Sequence, residues 1–130
     1  PVVGMGGPSY GGMSADPTNL NTTVIPATKT KDYYILVADD PNIIFEVQEI
    51  GTGTALDAAA VSLNANLVAG TNNGYISGAL LTNDSEATTV GLDVKLLGLS
   101  QSVTPNAFGA YAKWRVKINN HLYAVGHVGV

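Results

Sequence analysis

Three apolar side chains set two residues apart, Trp114, Val116 and Ile118, alternate with three cations, Lys113, Arg115 and Lys117. Period two is the repeat of an extended strand, whose successive side chains point to opposite faces. Such a segment buries one face, wets the other, and does not fit a helix. Val90, Leu92, Val94 and Leu96 repeat the pattern against Gly91, Asp93 and Lys95. Ile43, Phe45 and Val47 repeat it against Glu46 and Gln48.

Turn-forming residues punctuate these segments. Tyr33–Ala38 is a β-branched and aromatic run followed by Asp39-Asp40-Pro41-Asn42, so residues 33–50 predict a hairpin with one buried face. Residues 54–70 admit two readings. Thr54 and Asp57 can cap a helix that Gly70 ends, or Val61, Leu63, Ala65 and Leu67 can alternate with Ser62, Asn64 and Asn66. The favoured reading is a short helical turn near Asp57–Val61 and then an extended segment. Asn72-Asn73-Gly74 marks a turn, Tyr75–Leu81 a short strand, and Asn83–Glu86 and Gln101–Gly109 loops. Five to seven strands in about 100 residues predict an all-β, mainly antiparallel fold, a small barrel or sandwich with one short helical turn.

Residues 1–31 differ. Gly and Pro crowd the first twelve positions, and Pro17 and Pro26 continue the turn-prone character, which suits neither a helix nor a central strand. The expectation is an extended arm over 1–31 ahead of a β-rich domain over 32–130. Val2, Val3, Met5, Tyr10, Met13 and Leu20 are apolar side chains that a solvated linker does not need, and they read as anchors along a partner surface.

Composition narrows the function. Charged residues make up 12% of the chain, about half the usual share, leaving a surface of Thr, Ser, Asn and Gly that suits either a protein packed against neighbours or an extracellular β-domain with a neutral face. The net charge of −4 supplies no field for nucleic acid, and the lack of cysteine removes thiolate metal sites, disulfides and thiol catalysis. No apolar run approaches the ~20 residues that span a bilayer, and no charged-then-apolar leader opens the chain. A chain beginning Met-Pro commonly loses its Met, so Pro1 is compatible with an intact cytoplasmic product and equally with a processed or trimmed chain.

Candidate chemistry is sparse. His121 and His127 have no carboxylate nearby in sequence and read as surface histidines. Asp39–Asn42 offers oxygens but lacks the spacing and terminal Glu of a calcium loop. Asp84 and Glu86 sit close together with nothing to indicate a sugar cleft, and the glycine clusters lack the flanking strand and helix of a nucleotide fingerprint. No catalytic residue, metal or cofactor is expected. The sharpest charge feature is Lys113, Arg115 and Lys117, half of the six basic residues on one strand face. Asp93, or Glu46 with Gln48, can meet them as cross-strand partners, or the face can dock an acidic protein surface. A nucleic-acid stripe would need interleaved exposed aromatics, whereas Trp114 should face the core.

Several stretches resemble small virion structural proteins of tailed bacteriophages: Tyr33–Glu49, Val61–Gly70, Leu96-Leu97-Gly98-Leu99 and Ala112–His121, in the same order over residues 33–121. The resemblance implies a non-enzymatic capsid decoration, or cement, protein. Such a protein is made in the host cytoplasm, sits on the capsid exterior and binds the major capsid protein, often as a homo-oligomer with a trimer favoured. It touches neither nucleic acid nor membrane. The alternative is another virion surface protein, a head or tail adhesin whose β-domain binds carbohydrate through exposed aromatics near Tyr10, Tyr75 or Tyr111.

Overall fold

The computed structural model describes residues 13–14, 28, 32–35, 37–71, 78–102 and 104–130. The chain divides into two units, Pro1–Asp39 with Thr71–Gly78, and Asp40–Gly70 with Ala79–Val130. In the first, β1 (Met13–Ser14) pairs antiparallel with β2 (Tyr34–Ile35), Met13 opposite Ile35.

The second unit holds β3 (Ile44–Glu49), β4 (Asn64–Ala65), β5 (Leu67–Ala69), β6 (Ala79–Leu81), β7 (Val94–Leu99) and β8 (Lys113–Ile118). They form one sheet in the order β4-β7-β8-β3-β6-β5. The β3–β6 pair is parallel and the other four pairs are antiparallel. The two ends of that order, β4 and β5, are separated only by Asn66. A single bent strand therefore serves both ends, pairing with β7 through Asn64–Ala65 and with β6 through Leu67–Ala69, and the sheet becomes a nearly closed barrel. Polar side chains hold the bend. The Asp93 carboxylate accepts the Leu67 N–H at 3.0 Å and the Ser85 hydroxyl accepts the Asn66 N–H at 2.9 Å. The all-β class is as expected, and the architecture is a barrel.

Register explains the core. Phe45 lies opposite Val116 and Val47 opposite Trp114 on the inner face, while Ile44, Glu46 and Gln48 lie opposite Lys117, Arg115 and Lys113 on the outer face. Val94 and Leu96 face Ile118 and Val116 before a bulge between Leu96 and Gly98, where Gly98 takes φ +123°, a conformation that costs glycine little. Trp114, Leu81, Leu96, Val94, Val116 and Ala65 are buried, with Leu56, Ala60 and Ala112 beside them. The turn over Ala58–Ala60 is 3-10, and the Asp57 side chain caps it by accepting the Ala59 N–H at 2.7 Å, close to the expected helical turn.

The structure corrects three expectations. The 33–50 hairpin does not form: Tyr34–Ile35 pairs with Met13–Ser14, and Ile44–Glu49 takes β8 and β6 as neighbours. The Asp40–Ile43 turn is present, closed by the Ile43 N–H on the Asp40 carbonyl and by the Asn42 N–H on the Asp40 carboxylate, but it turns the chain without pairing the segments it joins. The alternation at 90–96 becomes strand only from Val94, because the Val90 and Leu92 carbonyls accept from the Asn119 side chain instead of entering a ladder. Asn64 does not point to solvent; it is fully buried, its amide donating to the Thr89 and His127 carbonyls at 3.0 and 2.7 Å.

Among the described residues one ionisable group lies wholly inside. Glu49 continues the inward sequence of Phe45 and Val47. One carboxyl oxygen accepts the Leu56 N–H at 2.8 Å and the Asn83 amide at 3.5 Å, and the other accepts the Trp114 indole N–H at 2.9 Å. This node ties β3, β8 and the 50–56 loop together, and Asn83 extends it to the Thr52 carbonyl at 2.7 Å.

Candidate functional site

The cationic strand face forms as the alternation predicts, and its neighbours use most of its charge. Lys113 approaches Glu46 at 3.8 Å. Lys117 donates to the Asn42 side chain at 3.2 Å. Lys95 on β7 stands directly opposite Lys117, a like-charge pairing that would be destabilising if both ammonium groups stayed there. Lys95 turns away, donating to the Ser62 and Val128 carbonyls, each at 3.1 Å. Of the acids expected to pair with the ladder, Glu46 does so, whereas the Asp93 carboxylate is spent on the strand bend. Arg115 is exposed, in register with Glu46.

Glu46 also accepts the hydroxyls of Ser100 and Ser102 on one oxygen. The Ser100 hydrogen bond first, then that of Ser102, hold its carboxyl below the ordinary 4.5; burial opposes them and the Lys113 charge assists. A carboxyl whose folded pKa is depressed contributes stability that is fully present above its unfolded pKa and is lost as pH falls through the folded value. Urea midpoints of the native protein should therefore decline as pH drops below about 4.5, and Glu46→Gln should flatten that part of the profile. Parallel profiles for the two proteins would refute the assignment.

The more unusual surface is the C-terminal segment. After Lys117 the chain carries no Asp, Glu, Lys or Arg. Leu122 is 87% exposed, Val125 85% and Val130 80%, with Tyr123 and Val128 also well exposed. The backbone is pinned across the fold at residues 127–130. His127 N–H donates to the Asn119 side chain at 2.9 Å, and its carbonyl accepts the Asn64 amide. Gly129 N–H reaches the Thr88 carbonyl at 3.0 Å and Val130 N–H the Ser62 carbonyl at 3.1 Å, while Lys95 holds the Val128 carbonyl. Gly129 passes through a gap too narrow for any side chain, since a Cβ there would lie 2.9 Å from the Ala87 carbonyl oxygen and from Leu63 Cα. Apolar side chains held outward on a fixed backbone, as at Val128 and Val130, are a candidate interaction surface with little ordering left to lose on binding.

Of the arm residues, Val2, Val3, Met5, Tyr10 and Leu20 lie outside the described residues, as does Tyr75; Met13 is in β1. The histidines are not brought together for chemistry: the His121 Nδ1 accepts the Tyr123 N–H at 3.0 Å, and His127 is held through its backbone. Among the described residues no cluster of three His, Cys, Asp or Glu could hold a metal ion, and no helix is long and apolar enough to cross a membrane. The low charge of residues 118–130 is legible in the sequence; the exposure of their apolar side chains is not. No protein-family model, curated protein or solved structure matches the chain.

Proposed function

We propose that the protein is a non-enzymatic decoration protein of a phage head, bound to the major capsid protein on the capsid exterior. The observation that carries this reading is the charge-free strip of Leu122, Tyr123, Val125, Val128 and Val130, displayed on a backbone turned locally at His121–Ala124 and held at residues 127–130 from five directions. Clamping coat subunits requires area and fit rather than a reactive group, and about 800 Å² per partner is the usual scale of a stable contact. The choice of the major capsid protein as partner rests on the sequence resemblance over residues 33–121. The arm over 1–31 and the Arg115 face would add contacts, and self-association as a homo-oligomer, a trimer by the resemblance, would multiply them.

The test is co-sedimentation of the purified protein with phage heads lacking it. The native chain should pellet with the heads. The double variant Leu122→Asp and Val125→Asp should bind at least about tenfold more weakly, with an unchanged melting temperature because both side chains already face water. Native protein that stays in the supernatant would reject the reading.

A further inference from the structure

A second surface, built from the 50–56 and 104–112 loops and not from the C-terminal strip, has the construction of a ligand platform. The β3–β8 ladder runs one step past its last paired residues, with Glu49 N–H donating to the Ala112 carbonyl at 2.8 Å. This brings the 50–56 loop beside the 104–112 loop. Gly51 and Tyr111 meet there. A Cβ on Gly51 would collide with Tyr111 Cζ, so the phenol end of the ring occupies the space that only glycine leaves free. The rest of the ring is open, and Tyr111 is 62% exposed. Its backbone has φ +65°, uncommon for an aromatic residue and costly. That backbone belongs to the turn leading into β8, closed by the Ala112 N–H on the Gly109 carbonyl at 3.0 Å, and the ring is carried outward on it.

Both loops are rigidly mounted. The Asn106 amide donates to the Ser100 and Lys113 carbonyls, each at 2.8 Å, and its oxygen accepts the Lys113 N–H at 3.1 Å. The opposite loop is fixed at Leu56 by Glu49 and at Thr52 by Asn83. Phe108, in the same loop as Tyr111, rests on Trp114 with ring centroids 5.6 Å apart and is itself partly exposed. The platform thus offers two aromatic rings, exposed Thr52 and Thr54, and no ionisable side chain but Tyr111 in residues 50–56 or 104–112.

We infer that the Tyr111 platform seated on Gly51 binds a neutral carbohydrate. The electron-rich face of an aromatic ring attracts the polarised C–H face of a pyranose, and neighbouring hydroxyls and backbone groups fix its orientation. Neutral loops select against phosphate-bearing ligands, which need a cation that these loops do not provide. The inference stands apart from the decoration reading, since it concerns another surface and the isolated protein.

Amide NMR shifts of the full chain titrated with maltose, cellobiose, lactose and chitobiose, and with adenosine monophosphate as the anionic contrast, test it. At least one disaccharide should shift the amides of Gly51, Thr52, Phe108 and Tyr111. Tyr111→Gly should weaken that binding at least about tenfold while keeping the fold, because glycine accepts the positive φ without strain. Tyr111→Phe should retain it. No response to any disaccharide at high millimolar concentration, an undiminished response in Tyr111→Gly, or a response to the nucleotide alone would overturn the inference.

Discussion

Glu49→Gln is expected to destabilise the protein by about 3 kcal/mol, a large share of the roughly 5–15 kcal/mol typical of a domain. Each carboxyl oxygen of Glu49 accepts from a fixed donor, the Leu56 N–H on one side and the Trp114 indole N–H on the other. An amide turns one of those acceptors into a donor, so either orientation of the substituted side chain sets N–H against N–H in a fully buried place. Trp114→Phe tests the same node from the opposite side, leaving one Glu49 oxygen without its partner. The two substitutions share one interaction, so the double variant should cost less than the sum of the single ones. Trp114 is the only tryptophan, so urea unfolding should be followed by circular dichroism. A Glu49→Gln effect within about 0.5 kcal/mol, the range of ordinary surface substitutions, would show that the node is unimportant.

The second large effect is expected at Gly129. An added methyl group would press on the Ala87 carbonyl oxygen, Leu63 Cα and Asn64 N, the last at 3.1 Å; all three are backbone atoms with little room to yield. Gly129→Ala should cost about 2 kcal/mol, within the usual range for overpacking. It should also raise hydrogen exchange at the Gly129 and Val130 amides, which now bond to Thr88 and Ser62. If the C-terminal strip makes the contact with heads, the same variant should weaken head binding without altering any side chain of the strip. Unchanged stability together with unchanged exchange would mean that the tail is not locked as described.

What the sequence discloses, and what it withholds, follows from the range of each interaction. The alternations at 43–47 and 113–118 predict faces correctly, because the pleat imposes them locally; Trp114 and Val116 are buried and Lys113, Arg115 and Lys117 line the outer side. Partners are another matter. Two adjacent strand-like runs and a turn predict a hairpin over 33–50, yet β3 pairs with segments more than 30 residues away. Strand propensity carries no address. Asn64 and Glu49 are hidden from a reading that equates polarity with exposure, although position 49 continues the inward series 45 and 47. The candidate surfaces are half visible. The charge-free tail and Tyr111 stand out in the sequence, but the Asn64 and Asn119 anchors and the Gly51 seat depend on contacts across the fold.

The bend at Asn66 has a bearing on crowding. Sheets fuse through long unpaired borders, and this one ends in segments of only two and three residues that belong to the same strand. Copies concentrated side by side would find no long border at β4 or β5 from which to extend one sheet into the next. At those two ends contact between copies falls to side chains, which lowers the tendency to fuse into fibrils.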